Sequence, residues 1–213
     1  MRTLYQFPFS PFSRRVRLAL AHKGLAVELR DSRADATIRD EARIRYPLGT
    51  IPVFVDEDGT TLGDSTVISD WLDARYPSPP LWPRDAPSLA LTRSVARQVD
   101  AVLDLVIDLG TRYYPLHRDP EWTVVKEGLL ARAHAGLREI VRLVPTSRET
   151  VLASGWSAVD IWLYTMVAWL DGLPARAAGY PPAAQIVSLG LILPPELSRW
   201  TAPHHGREDV RAL

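Results

Sequence analysis

Two serine hydroxyls stand three residues apart where the first apolar run of the chain gives way to a helix. Ser10 and Ser13 lie in the segment FPFSPFSRRVRLAL, residues 7–20, at the spacing that the two sulfurs of C-x-x-C motifs have in redox folds. Ser10 is a favourable N-cap because its hydroxyl can accept from the unpaired amides of the first turn, and Pro11 suits the first helical position. The segment therefore predicts a helix N-terminus that carries a hydroxyl and favours bound negative charge.

Two further motifs flank an apolar run later in the N-terminal half. Pro52 precedes the apolar residues 53–55 and cannot donate to a strand ladder, so it belongs at the start or edge of a strand. The sequence allows both a cis and a trans bond between Ile51 and this proline. After a glycine-containing turn, the sequence GDS at residues 63–65 opens a helix in which Ser65 is the expected N-cap.

The elements around these motifs alternate between strand and helix patterns. Residues 3–7 are rich in β-formers and residues 27–30 alternate apolar and polar side chains. With the helix between them, they predict a right-handed parallel βαβ unit. A short helix is expected near residues 38–46, and a β-hairpin over residues 53–62.

A proline-rich segment divides the chain into two parts. Prolines occupy positions 77, 79, 80, 83 and 87, a density typical of a linker, and the strand pattern largely disappears beyond it. The predicted fold class is therefore α/β plus all-α. We assign an N-terminal α/β domain to residues 1–77, the linker to residues 78–87 and an all-helical domain to residues 88–213.

The helical part begins with two long amphipathic helices. The second is predicted over residues 121–144, with Val124 and Val125 among its inward positions. Ser157 and Asp160 then match the S-x-x-[DE] capping box at the start of a very apolar helix, which should be central in its domain. The tail from Thr201 is expected to be poorly ordered.

Composition excludes several classes of function. The 213 residues contain 25 basic and 25 acidic side chains, so bulk charge does not point to nucleic acid or a membrane surface as partner. The absence of cysteine removes disulfides, thiolate metal sites and every mechanism in which the protein supplies a thiol. The scattered histidines predict no metal site. With no signal-peptide pattern and no apolar run of membrane-spanning length, a soluble intracellular protein is expected.

Four motifs in this order resemble those of the cytosolic glutathione transferase superfamily. They are SPFSRRVR at the first helix, GTIPVF before the third strand, GDS at a helix start and S-x-x-D before the central apolar helix. The first motif is most similar to serine-type and zeta-like bacterial members, and to the omega pattern with serine in place of cysteine. The resemblance covers nearly the whole chain. It implies a thioredoxin-like domain followed by a helical bundle domain, in a cytoplasmic homodimer that uses glutathione as co-substrate in detoxification.

The resemblance also implies a role for each matching residue. The hydroxyl of Ser10, or alternatively that of Ser13, faces the glutathione sulfur, and Ser10 is the assigned catalytic residue. Ile51 pairs through its backbone with the cysteinyl unit, and Asp64 and Ser65 hold the γ-glutamyl end. Asp160 is implied to serve folding. The residues assigned to glutathione binding are Ser10, Phe12, Ser13, Thr50, Ile51, Pro52, Asp64 and Ser65.

Two positions depart from the family pattern. Tyr46 stands where many members have asparagine, and Thr50 stands where a lysine is common. Losing that lysine removes one charge contact to the glycyl carboxylate of the peptide. Arg14, Arg15 and Arg17 are expected to form a solvated or interdomain face and not an anion site.

The predicted residues suffice for the chemistry that the resemblance implies. A free thiol has a pKa of about 8.5, and lowering it by about two units requires roughly 2.7 kcal/mol. A charge-assisted hydrogen bond supplies about 1.5–3 kcal/mol, and a helix N-terminus adds about 0.3–1 kcal/mol. Ser10 therefore needs only to donate a hydrogen bond to the thiolate. At the other end of the peptide, Asp64 can pair with the α-ammonium and the helix that contains Ser65 can receive the α-carboxylate.

Three functions fit these residues. The first is a glutathione transferase that conjugates a small, hydrophobic electrophile. The second is another glutathione-dependent enzyme on the same fold, namely an isomerase, a reductive dehalogenase or an ether-cleaving enzyme. The third is a non-catalytic, glutathione transferase-like binding protein, which the departures at Tyr46 and Thr50 keep open.

Overall fold

The structure is a computed structural model that describes residues 1–211. The Cα positions divide the chain into two compact units. One unit comprises Met1–Pro83 together with the segment that begins at Gly206, and the other comprises Arg84–His205. The described residues from Gly206 to 211 thus return to the first unit.

The first unit is built on a mixed β-sheet with the strand order β2-β1-β3-β4 within the described residues. The strands are β1 (Thr3–Gln6), β2 (Glu28–Asp31), β3 (Val53–Val55) and β4 (Thr61–Gly63). The helices of this unit are α1 (Pro11–His22), α2 (Ala36–Arg45), α3 (Ser65–Arg75) and α9 (Glu208–Arg211). β1 is parallel to β2 and antiparallel to β3, and β3 is antiparallel to β4. The predicted βαβ unit and the hairpin are both present, and the fold is thioredoxin-like.

Both ends of α1 form where the sequence predicts them. The side chain of Ser10 caps the helix by accepting from the amide of Ser13 at 3.3 Å, and Pro11 occupies the first helical position. Gly24 follows the C-terminus with a φ of +65°, a conformation that glycine adopts without the steric cost of a Cβ. Val16 and Leu18, on the apolar face of α1, are fully buried.

The second unit is helical throughout its regular elements. Its α-helices are α4 (Ala86–Ile107), α5 (Trp122–Leu143), α6 (Ala158–Arg176), α7 (Pro181–Ser188) and α8 (Pro195–Thr201). The prediction that Val124 and Val125 face inward is wrong, since their side chains are 74% and 47% exposed. Within α5 the buried positions start at Leu130, so the first turns of this helix do not reach the core.

The central position of α6 is confirmed. Its side chains are buried around the whole helix from Ala158 to Val167. The carboxylate of Asp160 accepts from the Ser157 amide at 2.9 Å, the Ser157 hydroxyl at 2.7 Å and the Val151 amide at 2.7 Å. The predicted capping box is therefore formed, and it also fixes the loop before the helix.

The tail from Thr201 was expected to be poorly ordered, which is wrong for the described part. A 3-10 helix spans Ala202–Gly206 and α9 follows it. His204 is buried, with its ring 4.5 Å from the Trp200 ring and 4.9 Å from the Trp156 ring. Aromatic packing that is not evident from the local sequence orders this segment. Among the described helices, none is both long enough and apolar enough to cross a bilayer.

Candidate functional site

The register of the sheet brings three motifs to one edge. Tyr5 of β1 pairs with Val53 of β3, and Val53 pairs with Gly63 of β4. Because these pairs are antiparallel, the residues that follow β1, precede β3 and follow β4 leave the sheet at the same end. These residues are the serine motif, the Ile51-Pro52 pair and the Asp64-Ser65 pair, so the predicted site residues converge.

The two candidate hydroxyls differ in environment. Ser10 is half-buried, and its Oγ accepts from the Ser13 amide at 3.3 Å. A hydroxyl carries one proton and two lone pairs, so this bond leaves the proton of Ser10 for another acceptor. Ser13 is fully buried, and its Oγ accepts from the Phe7 amide at 3.3 Å. The hydroxyl of Ser10 is thus the one that meets the surface.

A hydrogen bond from a side chain of α1 restrains the loop that carries Ser10. Arg17 donates from Nη2 to the carbonyl oxygen of Pro8 at 3.0 Å. Burial, together with the charge of Arg14, lowers the pKa of Arg17 to about 10. A buried guanidinium on a loop carbonyl restricts the loop, because releasing the carbonyl would leave a buried charge with one fewer hydrogen bond. The loop conformation that presents Ser10 is therefore coupled to α1.

The Ile51-Pro52 bond is cis, which settles the alternative that the sequence left open. Pro52 is buried directly before β3, Ile51 is half-buried and Thr50 is exposed. Phe12 is half-buried in the first turn of α1, with the Arg15 guanidinium 5.3 Å from its ring centroid. Phe12, Ile51 and Pro52 thus belong to the two segments that adjoin this edge of the sheet.

Asp64, and not Ser65, caps α3. Its Oδ1 accepts from the Thr66 amide at 2.7 Å and from the Val67 amide at 3.2 Å. The expected Ser65 cap is wrong because Asp64 adopts a φ of 68°, which places its carboxylate over the first turn and makes Ser65 the first helical residue. A positive φ in a residue with a Cβ costs roughly 1–3 kcal/mol and is concentrated at functional sites.

Ser65 is buried and receives a hydrogen bond that sequence patterns did not predict. Arg15 donates from Nη1 to the Ser65 Oγ at 3.1 Å, and its side chain is completely buried. Of the two expectations for these arginines, a solvated or an interdomain face, the solvated one is therefore wrong at Arg15, and it is also wrong at the buried Arg17. The sequence did contain a signal for this burial. Arg15 lies three residues before Leu18 and four before Ala19, so it falls on the apolar face of α1.

Tyr46 takes a structural position beside the site. A Cβ added at Gly63 would lie 2.4 Å from carbon atoms of the Tyr46 ring. Tyr46 also packs on the cluster formed by Tyr5, Ala42 and Val53. The ring therefore packs closely against Gly63, just before Asp64, and a side chain at position 63 would force the ring to move.

A cavity of about 200 Å³ opens next to the Ile51-Pro52 pair. It is lined by Ser32, Arg33, Arg39, Ala42, Arg43, Gly49, Thr50 and Ile51. Arginine guanidiniums are the usual partners of carboxylates and phosphates, so the lining is suited to anions. Within residues 1–211, no group of three or more histidine and acidic side chains is arranged to hold a metal ion.

Sequence comparison relates the chain to two groups of proteins. Residues 4–80 match the family model described as glutathione S-transferase, N-terminal domain. A stringent starvation protein A homolog of Pasteurella multocida is 36% identical over 163 residues, which cover 76% of this chain and 71% of that protein. Glutathione S-transferase Z1 of Arabidopsis thaliana is 42% identical over 85 residues, and a stringent starvation protein A homolog of Coxiella burnetii is 40% identical over 81 residues. These two matches span 38% of each relative and 38% of this chain.

Structural comparison extends over the whole chain. A glutathione S-transferase of Methylobacillus flagellatus, solved with glutathione bound, has a TM-score of 0.76 at 26% identity and covers 100% of this chain and 98% of its own. A glutathione S-transferase of Methylobacterium radiotolerans, in complex with glutathione sulfonate, has a TM-score of 0.75 at 25% identity, with coverages of 99% and 93%. A maleylacetoacetate isomerase of Anaeromyxobacter dehalogenans with bound glutathione has a TM-score of 0.70 at 25% identity. The match covers 100% of this chain and 94% of the isomerase.

Proposed function

Because the chain belongs to the glutathione transferase superfamily, we propose that it binds glutathione at the sheet edge and transfers the glutathione thiolate to a small, hydrophobic electrophile. The observation that carries the proposal is the hydroxyl of Ser10. It lies at the N-terminus of α1, accepts from the Ser13 amide and retains its proton. A thiolate placed there gains a charge-assisted hydrogen bond and the field of the helix.

The other end of the tripeptide is assigned to the N-terminus of α3. The amides of Thr66 and Val67 bind the Asp64 carboxylate, whose charge remains exposed to a ligand ammonium group. Arg15 donates to the hydroxyl of Ser65. Its positive charge next to Ser65 favours the binding of a carboxylate there. The two opposite charges of the γ-glutamyl group thus have complementary partners side by side.

The middle of the tripeptide is assigned to the cis-proline turn. The backbone of Ile51 pairs with the cysteinyl unit in this proposal, and Phe12 and Thr50 border the bound peptide. Two solved relatives of this fold carry glutathione or its sulfonate, which supports a glutathione-sized site. We further infer that the protein is a homodimer, as the family resemblance implies.

A second candidate is a protein that binds at this site without transferase chemistry. It is favoured by the Pasteurella multocida relative, which is named a stringent starvation protein A homolog and matches 76% of this chain. An isomerase is the third candidate, because one structural relative at 25% identity carries that name. Binding and turnover must therefore be measured separately.

Calorimetric titration with glutathione tests binding, and the initial rate with an activated aryl chloride tests transfer. In Ser10→Ala we expect kcat/KM to fall by about tenfold to a hundredfold, because one charge-assisted hydrogen bond is lost. Glutathione should still bind. Ser13→Ala should keep the rate and lose stability, since it removes the buried hydroxyl that accepts from the Phe7 amide. Binding without turnover would favour the second candidate, and no binding would refute the site.

A further inference from the structure

A second cavity, of about 230 Å³, lies within the helical unit. Its walls are the last two turns of α6, the end of α7 and the segment that follows α7 as far as Leu193. Among the described residues that line it, Asp171 is the one that carries a charge, and the others are apolar. The residues assigned to glutathione binding all belong to the other unit. A ligand of this cavity would therefore meet an apolar surface and one negative charge.

The carboxylate of Asp171 is oriented by one hydrogen bond and keeps its charge. Its Oδ1 accepts from the Ser198 hydroxyl of α8 at 3.1 Å, and the residue is exposed. Among the described side chains, no basic group forms an ion pair with it. Arg176, later on α6, donates from Nη1 to the Gly172 carbonyl at 2.9 Å and is absent from the lining. A carboxylate offers about four lone-pair sites, so Asp171 can accept from a bound cation.

A proline inside α6 adds a backbone acceptor at the same wall. Pro174 lies within the helix and has no N–H, so it cannot donate to the carbonyl of Leu170 four residues earlier. Both residues line the cavity, and the carbonyl that loses its α-helical donor therefore lies at its wall. The C-terminal end of a helix also carries partial negative charge. These features favour a ligand that is positively charged and donates hydrogen bonds.

The opposite wall is held in place by a third helix. The amide of Ile192 donates to Nε2 of His134, on α5, at 3.1 Å. The two neighbours of Ile192 in the chain, Leu191 and Leu193, both line the cavity. Ile186 of α7, which also lines it, is 4% exposed, so its side chain has little freedom to fill the space. A wall that is ordered before binding lowers the entropic cost of binding a ligand.

We propose that this cavity binds a small hydrophobic amine in its protonated form, with the ammonium group at Asp171 and the apolar body against α6 and α7. The inference is independent of the proposed function. Alkylammonium groups are charged at neutral pH, as the lysine pKa of about 10.4 shows, and their N–H groups suit the carboxylate and the carbonyl. An apolar cavity of about 150 Å³ can hold benzene, so a volume of about 230 Å³ accommodates a six-membered ring with a two-carbon chain.

The test is an NMR titration of protein that carries ¹³C-labelled isoleucine, leucine and valine methyl groups. The probes are phenethylamine, 2-phenylethanol and phenylacetate, which share the ring and differ in charge. We expect saturable shifts at the methyl groups of Ile186, Val187 and Leu191, which line the cavity. At low salt the amine should bind about fivefold tighter than the alcohol, the upper range for an exposed ion pair. Phenylacetate should bind most weakly, because its charge repels that of Asp171.

One substitution removes the charge and keeps the acceptor for Ser198. In Asp171→Asn the affinities of the three probes should converge to within about twofold. Asp119→Asn is the matched control, because Asp119 is exposed, accepts one hydrogen bond from the Glu121 amide at 2.8 Å and is absent from the lining. This control should keep the full preference for the amine.

Three results would overturn the inference, and none of them bears on the proposed function. The first is that phenethylamine shifts other methyl groups and spares those of the cavity. The second is equal affinity of the amine and the alcohol on the wild type. The third is a preference for the amine that survives in Asp171→Asn.

Discussion

Asp64 combines two tasks that a single substitution can separate. Its Oδ1 caps α3 through the Thr66 and Val67 amides, and its negative charge is available to the ligand ammonium group in the proposed site. Asparagine caps a helix about as well as aspartate and is among the residues that tolerate a positive φ. Asp64→Asn therefore keeps the backbone geometry and removes the charge.

We predict that Asp64→Asn weakens glutathione binding by about tenfold to a hundredfold, which corresponds to the loss of a charged hydrogen bond of about 1.5–3 kcal/mol. The free energy of unfolding should change by about 1 kcal/mol or less, since only the interaction of the charge with the helix N-terminus is lost. Calorimetry and urea denaturation measure the two effects. Asp85→Asn is the control, because Asp85 caps α4 through the Ser88 amide and has no assigned ligand. Equal affinity losses in both variants would contradict the role of Asp64.

At the scale of residues, sequence patterns predicted the contacts that form between neighbours in the sequence. The Ser10 cap with Pro11 at the first helical position is correct because capping involves residues within one turn. The Ser65 cap is wrong because two capping residues are adjacent, and the positive φ of Asp64 decides between them. The bond from Arg15 to Ser65 joins residues 50 apart. Only the tertiary fold brings that pair together.

At the scale of elements, the capping box places a carboxylate in the core of the second unit. Asp160 is completely buried, and burial raises its pKa from 3.8 to about 6, against the opposing effect of its hydrogen bonds from Val151 and Ser157. A raised pKa in the folded state means that the neutral form is favoured there. The stability that this group contributes is therefore present in full below about pH 4 and is lost as the pH rises through about 6.

We predict that the stability deficit of Asp160→Asn relative to the wild type shrinks as the pH rises from 4 to 7, by on the order of 3 kcal/mol. The variant lacks the titrating group, so only the wild type loses this contribution. Urea denaturation at half-unit pH intervals measures it. Asp85→Asn should show no such decrease over this range, because hydrogen bonds from Ser88 lower the pKa of Asp85 from 3.8, so its contribution changes mainly below pH 4. A deficit that grows with pH would mean that the donors stabilise ionised Asp160 more than burial opposes it.

The prediction of helices was correct where the apolar pattern was strong. It failed where tertiary packing decides which side chains are buried and which segments are ordered. The central helix α6 is apolar on all faces and could be placed from sequence alone. Val124 and Val125 fit the same periodicity as the rest of α5, yet nothing in the sequence shows where the helix leaves the core. The segment that contains His204 is ordered by the Trp156 and Trp200 rings, and Trp156 lies far from it in sequence.

The composition of the whole molecule determines what can be observed in solution. The chain contains no cysteine, so the protein contributes no thiol that could react, oxidise or ionise. In a complex, any thiolate absorbance therefore belongs to the bound ligand alone. The central chemical assumption of the proposed function can thus be measured on the wild-type protein, without removing a competing side chain first.

We predict that the thiol pKa of bound glutathione falls from about 8.5 to about 6.5, as the Ser10 hydroxyl and the N-terminus of α1 together supply roughly 2.7 kcal/mol. Ultraviolet titration of the thiolate band, at saturating protein, gives this pKa directly. In Ser10→Ala the value should return to about 8, because only the small contribution of the helix remains. Ser10→Thr keeps a hydroxyl and should keep most of the shift, and Ser13→Ala should resemble the wild type. A bound thiol that titrates near 8.5 in the wild type, or one that Ser13→Ala alone restores to that value, would refute the role assigned to Ser10.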